Sequence, residues 1–229
     1  MRSHVDDGDG AGGFLFSRDC LELTLGLNRS GSKRLTVLVN HLKSKFVDTK
    51  GKTAEQIAAE KQLADERRRV QARAVRAIVR ARFPAESFET ELFAVVGDLN
   101  DQPASPWLRP LVGQAGLHDA IGGLPAAERW THWWKSKNRA GQLDYLLLSP
   151  ALRRATERRG ILPRIERGGL GTRGRLADGS TAPRATRIFH SDDDPEPLPI
   201  DFQFPRLGGV LEQALAASDH CPVFLDVPA

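Results

Sequence analysis

The sequence predicts an α+β fold, an α/β sandwich of mixed sheets flanked by helices. Three observations carry this expectation. Short apolar or alternating runs recur along the chain, one long segment has helical periodicity, and several strands lie close enough in sequence to pair as hairpins. The 229 residues, 40% of them hydrophobic, can bury a substantial core, and this length suits a single domain over residues 1–229. The composition excludes a disordered tail, a collagen-like fibre and a coiled coil. No apolar run approaches the roughly 20 residues of a membrane-spanning helix.

Cys20 to Leu27 (CLELTLGL) alternates apolar and polar residues as a half-buried strand does. Asn28 to Lys33 is turn chemistry, and Arg34 to Leu42 (RLTVLVNHL) has a β-branched, apolar centre, so the two segments read as an antiparallel hairpin. A long helix follows, capped by Thr53 and running to about Arg82, where Phe83-Pro84 stops it. Its apolar positions Ile57, Leu63, Val70, Ala74, Ile78 and Ala81 recur at helical spacing, and its opposite face is rich in arginine. Leu92 to Val96 is a short apolar strand that ends abruptly in Gly97-Asp98-Leu99-Asn100-Asp101. Ser105 to Val112 reads as a short helix. Trp130 to Trp134 and Gln142 to Ser149 read as two strands joined by a polar turn, and Val223 to Val227 as a last strand. Between these, residues 168–205 are rich in Gly, Pro, Arg and Asp with little periodicity, which predicts a long surface loop.

The charge balance is mildly basic, 33 Lys+Arg against 29 Asp+Glu for a net +4, and favours polyanionic partners only weakly. Basic residues cluster at 61–82 and 153–175, and acidic ones at 6–9 and 192–196. Both basic clusters read first as solvated faces. Cys20 and Cys221 are too few for a disulfide framework or a zinc site and read as buried thiols. The opening MRSHVDDGDGAGGF is acidic and Gly-rich, unlike a secretory signal, and the compartment stays open.

Ionisable and amide side chains gather where the apolar strands stop: Asn40-His41 with Lys43, Asp98 with Asn100, Asp144, and Asp219-His220. Ends of core strands are where a rigid scaffold presents reactive groups. Carboxylates bind hard cations such as Mg²⁺. An imidazole beside a carboxylate moves a proton at neutral pH, and amides or cations hold phosphate oxygens. Together these groups fit metal-assisted attack of water on a phosphoester. Each alone has a plainer reading: Asp98 and Asn100 as turn formers, either histidine as a hydrogen-bonded structural imidazole.

NHLKSK (Asn40 to Lys45), GDLND (Gly97 to Asp101), QLDYLLLSP (Gln142 to Pro150) and SDHCPV (Ser218 to Val223) resemble, in order and strand context, the endonuclease/exonuclease/phosphatase superfamily. NHLKSK looks most like its bacterial nuclease-type branch, and ERRRVQA (Glu66 to Ala72) matches a helix pattern of that branch. The resemblance covers nearly the whole chain and loosens between Arg153 and Ala217. It implies a DNase I-like four-layer fold, two packed and mostly antiparallel sheets with helices outside. It also implies a phosphodiesterase that depends on Mg²⁺, with Mn²⁺ as the alternative. His41 would contact the scissile phosphate, Asp98 would orient or deprotonate the attacking water, and Asn100 would hold a phosphate oxygen. Asp219 would lie at the metal site, and His220 would face the phosphate with Asp144 fixing its tautomer. Asn40 and Lys43 would help to bind the substrate.

The family pattern opens with a strand carrying an Asn and a strand ending in Gln-Glu, whose Glu is the principal Mg²⁺ ligand, and neither is found here. Asp6, Asp7 and Asp9 precede the first strand on a Gly-rich stretch and replace it poorly. The expectation is therefore an N-terminally truncated domain with an exposed apolar sheet edge, a weakened metal site and doubtful activity. Nucleic acid is the expected substrate. A small phosphoester or phospholipid head group is the alternative within the same chemistry, and a catalytically silent binding module the alternative outside it. The sequence points to no protein partner. Trp130, Trp133 and Trp134 read first as strand packing, and otherwise as a stacking wall for bases. GGLGTRG (Gly168 to Gly174) lacks the flanking strand and helix of a phosphate-cradling loop. His4, His118, His132 and His190 show no partner pattern.

Overall fold

The computed structural model describes residues 15–16, 20–134, 139–166, 185–188, 198–201 and 220–228. The chain begins with the expected hairpin: β1 (Leu21–Gly26) pairs antiparallel with β2 (Arg34–His41), Leu21 opposite Val39 and Gly26 opposite Arg34. The long helix α1 (Ala54–Arg82) follows. Its start is a capping box, in which the Thr53 hydroxyl accepts from the Gln56 amide at 3.3 Å and the Gln56 side chain accepts from the Thr53 amide at 2.9 Å. After the short α2 (Ala85–Phe88), β3 (Phe93–Asp98) runs parallel to β2. The chain continues through α3 (Arg109–Val112), β4 (His118–Asp119), β5 (His132–Trp134), β6 (Arg139–Gly141), β7 (Asp144–Leu148) and α4 (Pro150–Glu157). The last elements are β8 (Arg164–Ile165), β9 (Ala185–Ile188), β10 (Leu198–Asp201) and β11 (Val223–Phe224).

The main sheet has the order β1-β2-β3-β7-β4, and a second sheet has the order β10-β9-β6-β5. Parallel and antiparallel pairs mix in both, as an α+β fold requires. Alternation along the central strands explains why the main sheet is covered on both faces. Leu38, Phe93, Val95, Tyr145 and Leu147 point to one side and pack with Ala72, Val75 and Val79 of α1. Their neighbours Val37, Ala94, Val96, Leu146 and Leu148 point to the other side, where Leu152 of α4 and Leu225 join them. Trp130 and Trp133 form a third apolar cluster with Ala140 and Cys221, each at most 3% exposed. They are strand packing, and Trp134 is half-buried.

Three differences from expectation have clear causes. Trp130–Trp134 and Gln142–Ser149 do not pair with each other. β5 turns back onto β6 and β7 leaves for the main sheet, because a strand's periodicity marks its buried face but not its partner. Helix α4 is an element beyond those the sequence predicts: its eight residues are too few for a clear period, although Ser149 caps it through the Leu152 amide and Pro150 starts it. The stretch expected as a 168–205 loop contains β9 and β10, paired antiparallel; the remainder of that stretch and the 168–174 motif lie outside the described residues.

Among the described residues β1 is an edge strand of the main sheet, and Leu21, Leu23 and Leu25 are 53%, 42% and 48% exposed. Among the described residues no helix is long and apolar enough to cross a membrane.

Candidate active site

Strand register assembles the site. β2 and β3 run parallel with His41 beside Asp98, and β7 runs antiparallel to β3 with Asp144 beside the same Asp98. Three adjacent strands therefore set His41, Asp98 and Asp144 in one row at one end of the sheet. The close approach that this row needs depends on Gly97, whose φ is 124°. A Cβ there would lie 2.0 Å from the carbonyl oxygen of Asn40, so only glycine fits.

His220 arrives from the other end of the chain. An isolated antiparallel bridge pairs it with His132, and its Nδ1 meets Asp144 Oδ2 at 2.9 Å. Its Nε2 then lies 3.8 Å from Asp98 Oδ2, while His41 Nε2 lies 3.5 Å from the same oxygen. Asp98 is thus flanked by two imidazoles. All four side chains are accessible, between 13% and 37% exposed.

Asn100 holds Asp98 in place. It has φ 56°, a left-handed conformation that asparagine tolerates better than most residues. This turn brings its backbone amide to Asp98 Oδ1 at 2.8 Å and its side-chain amide to Asp98 Oδ2 at 3.0 Å. The same side-chain amide donates to the carbonyl of Leu42 at 3.0 Å, tying the β3 turn to the segment after His41.

That segment is clamped from α1 as well. The Lys43 amide donates to Gln71 Oε1 at 2.7 Å, and Arg68 Nε donates to the Lys43 carbonyl at 2.9 Å. Arg68 is fully buried and also binds Asp65 at 2.7 Å and Asp101 at 3.0 Å. Asp101, 1% exposed, takes Lys45 at 2.5 Å and the Ser105 hydroxyl at 2.7 Å. Arg68 Nε and Nη1 both serve this network while its Nη2 is buried without a partner among the described residues. Breaking the buried Arg68–Asp101 pair would leave a charge uncompensated, so the loop's position is costly to change.

The structure brings together His41, Asp98, Asn100, Asp144 and His220. It does not bring Asn40's side chain to them: Asn40 is 3% exposed, and its amide donates to the carbonyl of Leu38 within its own strand. Lys43 is present at the site's margin through its clamped backbone. Asp219 lies outside the described residues.

Residues that the sequence did not single out complete the site. The Thr131 hydroxyl accepts from the amides of both Leu143 and Asp144 at 3.0 Å. Asp119, in β4, accepts from Gln142 Nε2 at 2.8 Å, and burial pushes its carboxyl up to about 6. Arg68 and Gln71 sit within ERRRVQA, so a signal for them existed. None marked His132 or Asp119.

The Asp98, Asp144 and His220 ligand atoms lie within 4.8 Å of one another. Two carboxylates and an imidazole form a donor set that a divalent cation can use. Asp144 and His220 bind each other and Asp98 accepts from both nitrogens of Asn100, so an ion would share donors that already hold one another.

A known-structure comparison finds likeness to a humanized TDP2 of D. rerio carrying 14 mutations, at 20% identity and TM-score 0.36. The match covers 65% of this chain and 51% of that one, so this chain spans about half the length of the protein it matches. No curated protein matches the chain. The model of the endonuclease/exonuclease/phosphatase family matches residues 5–220, and these residues include every strand end that meets at the site. The chain belongs to the endonuclease/exonuclease/phosphatase family.

Proposed function

We propose that this protein hydrolyses phosphodiesters, as a nuclease, with a divalent cation. One observation carries the reading: Asp98 is flanked by His41 and His220, and Asp144 holds His220 from behind at 2.9 Å. A phosphoester hydrolase needs a group to direct water, a group to move a proton and donors for the phosphate oxygens. Asp98, oriented by both nitrogens of Asn100, directs the water. With Nδ1 donating to Asp144, the His220 ring presents Nε2 towards Asp98 as the atom that takes and returns the proton. His41, on the opposite side of Asp98, contacts the scissile phosphate and assists the leaving group. The Asn100 side-chain amide also serves a phosphate oxygen, and Lys43 adds positive charge at the margin.

Mg²⁺, or Mn²⁺ in its place, would be held by Asp98 together with the expected ligand Asp219, and would neutralise charge on the phosphate. Nucleic acid as the substrate rests on the family's chemistry and on the exposed basic side chains of α1, among them Lys61, Arg73 and Arg80. The test is turnover of single- and double-stranded DNA, RNA and bis-p-nitrophenyl phosphate with Mg²⁺, with and without EDTA. We expect EDTA to abolish turnover. Asp98→Asn and His220→Ala should each lower kcat by about 10²-fold or more while the circular dichroism spectrum stays that of the parent. No turnover of any phosphodiester, or rates that ignore EDTA and both substitutions, would overturn the reading.

A further inference from the structure

We infer that His132, seated by Thr131, is the residue that positions the His220 ring. The inference rests on the reading of His220 as the proton carrier. The hydrogen bond from Nδ1 to Asp144 sets one atom of the imidazole, and packing against the ring sets its plane and so keeps Nε2 aimed at Asp98. His132 supplies that packing. Its ring lies 4.5 Å from the His220 ring, centroid to centroid, at 71°, an edge-to-face contact.

His132 is itself held. Its ring packs edge-on against Trp134 at 4.3 Å and 62°. Trp134 lies across Gly141, directly opposite His132 in the β5–β6 pair, where a Cβ would come within 3.2 Å of the indole. Glycine at 141 thus lets the indole settle against the strand beside His132. At 5% exposure His132 offers substrate almost no surface, so its part is to position rather than to react.

The backbone carries the same coupling. His132 forms the bridge with His220, and the Cys221 amide donates to the Thr131 carbonyl at 2.6 Å. The Thr131 hydroxyl, with both lone pairs used, fixes the amides of Leu143 and Asp144. Two consecutive residues therefore touch both members of the Asp144–His220 pair, which are 76 residues apart in sequence.

The test compares His132→Ala with His132→Phe, since Phe keeps the ring packing and loses the nitrogens. The readouts are kcat, KM and the ¹⁵N shifts of the His220 ring, which report whether Nδ1 carries the proton. We expect His132→Ala to lower kcat about 10–100-fold with KM nearly unchanged, and to convert the His220 signal from the Nδ1–H tautomer to a mixture. His132→Phe should restore most of both. His132→Leu takes the place of Ala if the Ala variant does not fold. Parent-like kcat and tautomer in the Ala variant would overturn the inference. So would a folded Phe variant as impaired as Ala. The tautomer readout needs no turnover, so an inactive parent would sink the functional reading and leave this one to be judged by the ring signal.

Discussion

Asp119 shows how far burial moves a single side chain from its ordinary chemistry. It stands on β4 opposite Leu147 of β7, and loss of solvation pushes its carboxyl from 3.8 up to about 6 despite hydrogen bonds from Gln142 and the Ile121 amide. The folded protein therefore holds this proton more tightly than the unfolded chain does. The associated stability is fully present below pH 3.8, is lost as pH rises towards 6, and stays lost above. At about 1.4 kcal/mol per unit the whole effect is about 3 kcal/mol. Asp119→Asn removes the ionisation, so its unfolding free energy relative to the parent should rise by about that amount between pH 4 and pH 7. Urea denaturation of both proteins at the two pH values measures it, and a pH-independent difference would refute it. Nothing in LHDA announces this behaviour, because desolvation is a property of what packs around a residue. His41, Asp98, Asn100, Asp144 and His220 were legible for a different reason: each occupies a strand end in a motif that constrains residue type.

At the scale of the element, legibility tracked the range of the physics. The capping box of α1, its helical periodicity and the Phe83-Pro84 stop are local, and the helix spans Ala54–Arg82 as its sequence predicts. The β1–β2 hairpin is equally local. By contrast, β5 and β7 lie ten residues apart and enter different sheets, since their partners compete over the whole chain. The β2–β3 pair shows what such a choice demands. The strands approach so closely at Asn40 and Gly97 that a methyl group has no room. Gly97→Ala should therefore cost about 3 kcal/mol or more, combining a left-side φ with a backbone clash. Because the same pair aligns His41 with Asp98, the loss of kcat should exceed that expected from the fraction unfolded. Thermal melts with kcat measured well below Tm test both parts. A variant with parent-like Tm would show that the strands can separate cheaply.

For the molecule as a whole, the net charge of +4 is modest, and its arrangement matters more than its size. On the proposed function, the exposed basic side chains of α1 and Lys43 beside His41 would favour a polyanion. Binding of duplex DNA by the Asp98→Asn protein in EDTA should fall steeply with salt. For about four phosphate contacts, raising salt from 50 to 200 mM should weaken it about 100-fold. Salt-insensitive binding, with retained turnover of a small phosphoester, would direct attention to the phosphate group alone. Along this chain, residue order settled the local matters: which segments alternate, where α1 starts and stops, which strand ends carry carboxylates, imidazoles and amides, and hence the family chemistry. Those features depend on contacts within a few residues. The folded molecule settled which carboxylate meets which imidazole, why Asn40 turns inward, how Arg68 and Asp101 lock the loop after His41, and that Asp119 and His132 adjoin the site. These depend on burial and on strand partners brought together from distant parts of the chain, where many weak contacts compete and no short motif records the outcome.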